Sequence, residues 1–120
     1  MSRKILVIED EPYVAKAIKF MLEGEGYEVV VAESGATALL IMKEYAPALV
    51  LLDMKMPGLC GFETLKCIKV LFKNIPVVMI SAAMDENESK ETMDAGACDY
   101  ITKPIDFDRL KICVHSKCLE

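Results

Sequence analysis

Short apolar runs alternate along the chain with longer stretches in which apolar positions recur every three or four residues. The runs are Lys4–Ile8 and residues 27–32, 49–52, 77–80 and 100–101, rich in Val, Ile and Leu. Runs of this length, bounded by turn residues, predict strands, with residues 4–8 buried and 49–52 buried on both faces of a parallel sheet. Between them, helical spacing joins Val14, Ile18, Met21 and Leu22, then Ala36, Leu39, Leu40 and Lys43. Further on it joins Phe62, Leu65, Ile68 and Phe72, and finally Phe107, Leu110 and Val114.

The punctuation agrees with that division. Pro12 suits the first turn of a helix, and Gly24 and Gly26 end it. Ser34 and Asp106 stand where caps are needed, and Pro47 closes off the second helix. Residues 85–95 predict a helix of different character, acid-rich, with Met93 and Ala97 among its few apolar anchors and a stop at Gly96. Five strand–helix alternations in one short chain imply successive right-handed βαβ units. The expected fold is α/β: a doubly wound, five-stranded parallel sheet in the flavodoxin-like order 2-1-3-4-5, with a switch point between strands one and three.

Composition narrows the function. With 120 residues, 53% of them apolar and 28% charged, the chain reads as a single domain spanning residues 1–120 with no output domain. A net charge of −5 argues against direct nucleic-acid binding and leaves room for a small cation or a basic partner. Glu9, Asp10 and Glu11 interrupt the only apolar run near the start, so no secretory signal is expected, and no stretch is long enough for a membrane helix. Five cysteines without a CxxC pair read as buried free thiols in a reducing cytoplasm. The lone His115 has no ligand pattern around it and is expected to be exposed.

The chemistry follows from what stands at the carboxyl end of each strand, where open α/β sheets keep their sites. Strand one delivers Glu9 and Asp10, strand three Asp53, strand four Ser81, and strand five Lys103. In the 2-1-3-4-5 order these groups converge on one crevice. At about 4 Å and an effective dielectric near 20, one like-charged pair costs about 4 kcal/mol, so either a proton is retained or a cation binds. A hard divalent ion with oxygen ligands is the natural answer, and Mg²⁺ keeps waters that a phosphate can displace. Carboxylates act as nucleophiles toward phosphorus. The reaction suggested is phosphoryl transfer onto Asp53, with Lys103 and the Ser81 hydroxyl receiving the arriving negative oxygens.

The acidic pair Glu9-Asp10, the stretch Leu52-Asp53-Met54-Lys55-Met56-Pro57-Gly58, Ser81-Ala82, Gly96-Ala97 with Asp99-Tyr100, and Lys103-Pro104 occur in order along nearly the whole chain. In this the sequence resembles the receiver domain of bacterial response regulators, the CheY-like family. The resemblance implies Asp53 as phosphoacceptor, with Asp10, Asp53 and the Lys55 backbone carbonyl as Mg²⁺ ligands and Glu9 acting through water. It implies that Lys103 pairs with the phosphoryl oxygens and that Ser81 and Tyr100 form a switch pair altering the surface of the fourth helix, fifth strand and fifth helix. It implies a cis Lys103–Pro104 bond, and a sensor histidine kinase or histidine phosphotransfer protein as donor. Such a chain catalyses only its own phosphorylation and slow dephosphorylation.

Two departures matter. Cys60 stands where the family has a helix-capping Asp or Asn, which weakens the start of the third helix by about 1 kcal/mol. Lys55 and Ala83 flank the phosphoryl group, and neither orients an attacking water, so the modification is expected to be long-lived. Thr92 replaces a small apolar residue with no evident role. Other classes compete. A pseudo-receiver that only binds a partner is disfavoured by the full set Asp10, Asp53, Ser81 and Lys103. A haloacid-dehalogenase-like phosphatase needs a second Asp two residues beyond the first, where Lys55 stands. A flavin carrier lacks its Ser/Thr-rich phosphate loop after strand one. Cognate kinase, output and oligomeric state are not encoded in a readable form. The protein either works alone or is one domain of a longer chain, and Leu119-Glu120 has the look of a cloning scar.

Overall fold

The computed structural model describes residues 3–54 and 61–118. Lys55, Met56, Pro57, Gly58 and Cys60 lie outside the described residues, as do Leu119 and Glu120, and with them the expectations placed on the Lys55 carbonyl and the Cys60 cap.

Five strands, β1 (Lys4–Ile8), β2 (Glu28–Ala32), β3 (Leu49–Asp53), β4 (Val77–Ser81) and β5 (Asp99–Thr102), alternate with five helices. The helices are α1 (Pro12–Gly24), α2 (Gly35–Met42), α3 (Gly61–Leu71), α4 (Glu86–Asp94) and α5 (Phe107–Cys118). All strand pairs are parallel and the order is β2-β1-β3-β4-β5, as expected from the alternation. β3 and β4 are buried along their whole length, because side chains alternate between two covered faces. Leu49, Leu51, Val78 and Ile80 meet Ile18 and Leu22 of α1 and Leu110 and Val114 of α5. On the other face Val50, Leu52, Val77 and Met79 meet Ala38 and Met42 of α2 and Leu65 and Ile68 of α3.

The helix ends use the expected chemistry. The Ser34 hydroxyl accepts from Thr37 N at 3.1 Å, and Asp106 Oδ1 accepts from Asp108 N and Arg109 N at 3.0 and 3.3 Å. Asp85 and Glu88 form a reciprocal capping box on α4. Gly26 and Gly96, at φ 96° and 113°, turn the chain after α1 and α4 in a region that other residues rarely enter.

Three helix faces differ from the periodicity reading. In α2 the buried residues are Gly35, Ala38 and Met42, while Ala36 and Leu40 face solvent. Nearly every α2 residue is apolar or small, so spacing cannot choose a face. Instead α3 chooses it: a Cβ on Gly35 would collide with the fully buried Thr64 Oγ1, so only a glycine lets α2 lie this close. In α4 the buried residue is Thr92 while Met93 is 40% exposed; Ala97, just beyond the helix, is buried as expected. The Thr92 hydroxyl donates to Glu88 O at 2.8 Å and approaches Met84 Sδ at 3.7 Å, which lets a polar residue occupy a dry position. In α5 Phe107 is 38% exposed, because it sits at the first helical position, beyond the edge of the sheet. His115 is exposed, and Cys67, Cys98, Cys113 and Cys118 are free thiols.

Candidate functional site

Asp53 is the last residue of β3, with Ile80 as its β4 partner, and it is 2% exposed. Met54 N donates to Ile80 O at 2.8 Å, holding the backbone one residue beyond the carboxylate. On the far side of β4, Lys103 N donates to Ser81 O at 2.7 Å, which extends the ladder past Thr102. From there the Lys103 side chain crosses the end of β4. Its Nζ donates to Asp53 Oδ1 at 3.1 Å and Oδ2 at 3.0 Å, one ammonium shared by both carboxylate oxygens. The Lys103–Pro104 peptide is cis, as the resemblance implied.

β1 contributes the other acids. Glu9 N donates to Ala32 O at 2.9 Å, so the chain stays in register with β2 while the Glu9 side chain turns into the crevice. That side chain is 2% exposed, and its Oε2 accepts from Glu11 N at 3.1 Å. Oε1 has no hydrogen-bond partner among the described residues. Glu9, Asp10 and Asp53 each offer an oxygen within 4.8 Å of the others. Burial pushes the Glu9 carboxyl up to about 7; the Glu11 N–H opposes this, the Asp53 carboxylate adds to it, and the Lys103 ammonium opposes it again.

These donors fit Mg²⁺: among the described residues three hard carboxylates, one carrying a dry oxygen without a hydrogen-bond partner, face one lysine. Three ionised acids and one ammonium leave two negative charges, the charge a divalent ion neutralises. Ser81 completes the rim. It is 4% exposed, and its Oγ is also without a partner among the described residues, so its hydroxyl is uncommitted in a site where buried polar atoms are normally paired. Tyr100 is half-buried on the β5 face toward Met79 and Ala97. It pairs with Met79, and Ser81 pairs with Thr102, so Ser81 stands two residues nearer the carboxyl edge on the same face. Beside Tyr100 lies a hollow of about 340 Å³ bordered by Met84, Ser89 and Met93. The structure thus brings Glu9, Asp10, Asp53 and Lys103 into one cluster, with Ser81 at its edge and Tyr100 behind it.

One positioning residue has no signal in the sequence pattern. Gly61 opens α3, and its N donates to Met54 O at 3.1 Å. A Cβ there would lie 2.6 Å from Asp53 O and Met54 Cα and 2.7 Å from Met54 O. All three are backbone atoms that cannot swing aside, so α3 rests directly on the peptide that follows the carboxylate. Gly61→Ala is expected to destabilise the fold by about 1–3 kcal/mol, by overpacking. It is also expected to weaken Mg²⁺ binding, because relief of the clash moves the Asp53 backbone. Denaturant melts and metal titration check both; unchanged values in both would overturn the expectation.

Comparison with known proteins agrees with this geometry. The family model described as response regulator receiver domain matches residues 5–115. The transcriptional regulatory protein KdpE of Mycobacterium tuberculosis is 38% identical over 104 residues, covering 87% of this chain and 46% of KdpE. The chain therefore spans about half the length of that relative. Sporulation initiation phosphotransferase F of Bacillus subtilis is 36% identical over 111 residues, covering 92% of this chain and 90% of that protein. The receiver domain of the Francisella response regulator 1452 superposes with a TM-score of 0.92 at 32% identity, covering 98% of this chain and 97% of the other. Among the described residues no helix is long and apolar enough to cross a membrane. A family match over nearly the whole chain, on a sheet that assembles an acidic pocket around Asp53, shows that the chain belongs to the response regulator receiver domains, the phosphoaccepting modules of two-component signal transduction.

Proposed function

We propose that this chain takes a phosphoryl group from the phosphohistidine of a sensor histidine kinase or phosphotransfer protein onto Asp53, in a Mg²⁺-dependent reaction. The observation that carries the reading is the pair of dry, unpartnered oxygens, Glu9 Oε1 and Ser81 Oγ, flanking a carboxylate already gripped by Lys103. Among the described residues no hydrogen bond satisfies these two atoms, which leaves them placed for a bound metal or phosphoryl oxygen. By the family resemblance Asp10, Asp53 and the Lys55 carbonyl would hold the metal, with Glu9 acting through water; when bound, the ion would neutralise charge on the acids and on the phosphoryl oxygens.

An Asp53 oxygen attacks phosphorus and the P–N bond breaks. The bonding pair returns to an imidazole whose other nitrogen carries the proton, so the ring leaves neutral. Lys103 moves its hydrogen bonds from the carboxylate to the phosphoryl oxygens, and the Ser81 hydroxyl donates to another of them. Recruitment of Ser81 changes the packing of Tyr100 on the same face of the sheet. Output then passes to a partner through the surface of α4, β5 and α5, where the hollow beside Tyr100 gives the ring somewhere to move from or into. In this reading residues 1–120 act as one receiver unit in the cytoplasm, with no direct contact to nucleic acid. Apart from its own phosphorylation and dephosphorylation the unit catalyses nothing.

The test is incubation with phosphoramidate, a small P–N donor, with Mg²⁺ or with EDTA. One hydroxylamine-labile phosphoryl group mapped to Asp53 and absent with EDTA is expected. Labelling elsewhere, or labelling indifferent to EDTA, would overturn the reading. Ala83 is exposed and has no polar side-chain atom, and Lys55 is a donor only, so neither holds a hydrolytic water by accepting its proton. The phosphorylated chain, stripped of donor, is expected to keep its phosphate for minutes or longer; a half-life of seconds would contradict this.

A further inference from the structure

On the opposite edge of the sheet from Asp53, where the strands begin, lies a hollow of about 480 Å³. Three cations line it from three separate elements: Arg3 before β1, Lys69 on α3 and Lys117 on α5. No carboxylate lines it among the described residues, in a chain whose net charge is −5. Its apolar wall is formed by Pro47, Ala48, Ile75 and Pro76, at the starts of β3 and β4. Burial pushes the thiols of Cys98 and Cys118 up; Lys117 pulls Cys98 back, the neighbouring Asp99 carboxylate opposes it, and Lys69 pulls the same way as Lys117, while Arg3 pulls Cys118 back, so the cations act on the hollow's own lining.

Part of this charge has an internal use. Helices of a parallel α/β sheet run back toward this edge, so their negative ends collect here, and cations in the last turn suit them. Lys69 Nζ donates to Lys73 O and Ile75 O, both at 2.9 Å, which accounts for two of its three protons. The internal use falls short of the supply. The ends of α3, α4 and α5 border the hollow, and each carries about half a negative charge. Among the described lining residues three full cations therefore leave a surplus of about one to two positive charges over the helix ends. A phosphate group carries about −1.5 to −2 at neutral pH, and its oxygens match a guanidinium bidentately and lysines as point charges.

We propose that this hollow is a phosphate-binding site, taking inorganic phosphate or a small phosphate monoester through Arg3, Lys117 and the remaining proton of Lys69. The apolar wall would hold the organic portion of an ester. The site is independent of the acidic pocket, needs no metal, and stands whether or not Asp53 accepts a phosphoryl group.

The test is titration of the full chain with inorganic phosphate and with phenyl phosphate, in EDTA and at constant ionic strength, followed through backbone amide resonances. Saturable binding in the low-millimolar range is expected, with shifts at Arg3, Gly96, Cys98 and Lys117. The tighter of the two probes identifies the source, since only the ester uses the apolar wall. Arg3→Gln, a change at an exposed residue, and Lys117→Ala are each expected to weaken binding by about tenfold, the loss of one charge-assisted hydrogen bond. Asp53→Asn is expected to leave it unchanged. Non-saturating shifts, shifts reproduced by chloride, or binding lost in Asp53→Asn but kept in both cation variants would overturn the proposal.

Discussion

Lys103→Ala is expected to slow phosphoryl transfer from phosphoramidate to Asp53 by about 10²–10³-fold at saturating Mg²⁺, the loss seen when one preorganised donor to a developing charge is removed. The reason is geometric. Among the described residues the Lys103 ammonium sits on both Asp53 oxygens, at 3.0 and 3.1 Å, and the ladder bond from its own N to Ser81 O fixes its starting point. When the phosphoryl group arrives, the ammonium is already in place and little reorganisation is needed. Lys103→Arg is expected to recover only part of the rate, because a planar guanidinium cannot occupy the position of a compact ammonium. Mg²⁺ binding should move the other way, since removal of a positive charge beside the three acids leaves the metal without a competitor. A Lys103→Ala variant transferring within about threefold of the parent rate would place the ammonium outside the reaction.

The second large effect is on stability and its dependence on pH. Glu9 is held at about 7, far above its ordinary value of 4.5, chiefly by burial. An acid whose folded value is raised binds its proton more tightly when folded, so its contribution to stability is complete below pH 4.5. That contribution is lost as pH climbs through 7. Over that window the metal-free chain is expected to lose on the order of 3 kcal/mol relative to Glu9→Gln, which keeps an acceptor for Glu11 N and cannot ionise. Mg²⁺ reverses the sign, because it favours the ionised carboxyl. Its binding releases a proton below pH 7, and its affinity is expected to rise with pH and level off above it. Paired denaturant melts of the two chains from pH 5 to 8, with EDTA and then with Mg²⁺, read both effects. Parallel curves for the two chains in EDTA would refute the assignment of the proton to Glu9.

Residues whose role is local were legible before the fold was known. Ser34 and Asp106 act on amides within three residues of themselves, so sequence position alone places them, whereas Asp85, read as the first residue of its helix, proved to be the cap. The central strands β3 and β4 were equally plain, since residues buried on both faces are apolar nearly throughout. Asp53 and Lys103 could be brought together because strand order places positions fifty residues apart at strand ends on either side of β4, within reach of a lysine side chain. Helix faces were harder. α2 is apolar on every side, and it took the contact of Gly35 with Thr64 to choose which side is buried. Thr92 looked like an anomaly until its hydroxyl found Glu88 O, a bond that satisfies a polar side chain in the core.

The sequence by itself determined the order of elements, the parallel sheet, and which residues stand at its carboxyl edge, because these follow from periodicity and from the handedness of the crossovers. Only the tertiary structure decided the quantities that depend on several chain segments at once. The bidentate grip of Lys103 on Asp53, the dry Oε1 that raises the Glu9 carboxyl, and the seating of Gly61 on the Met54 peptide all arise from distances between elements. Burial and electrostatic coupling are sums over neighbours distant in sequence. No local pattern of residues contains them.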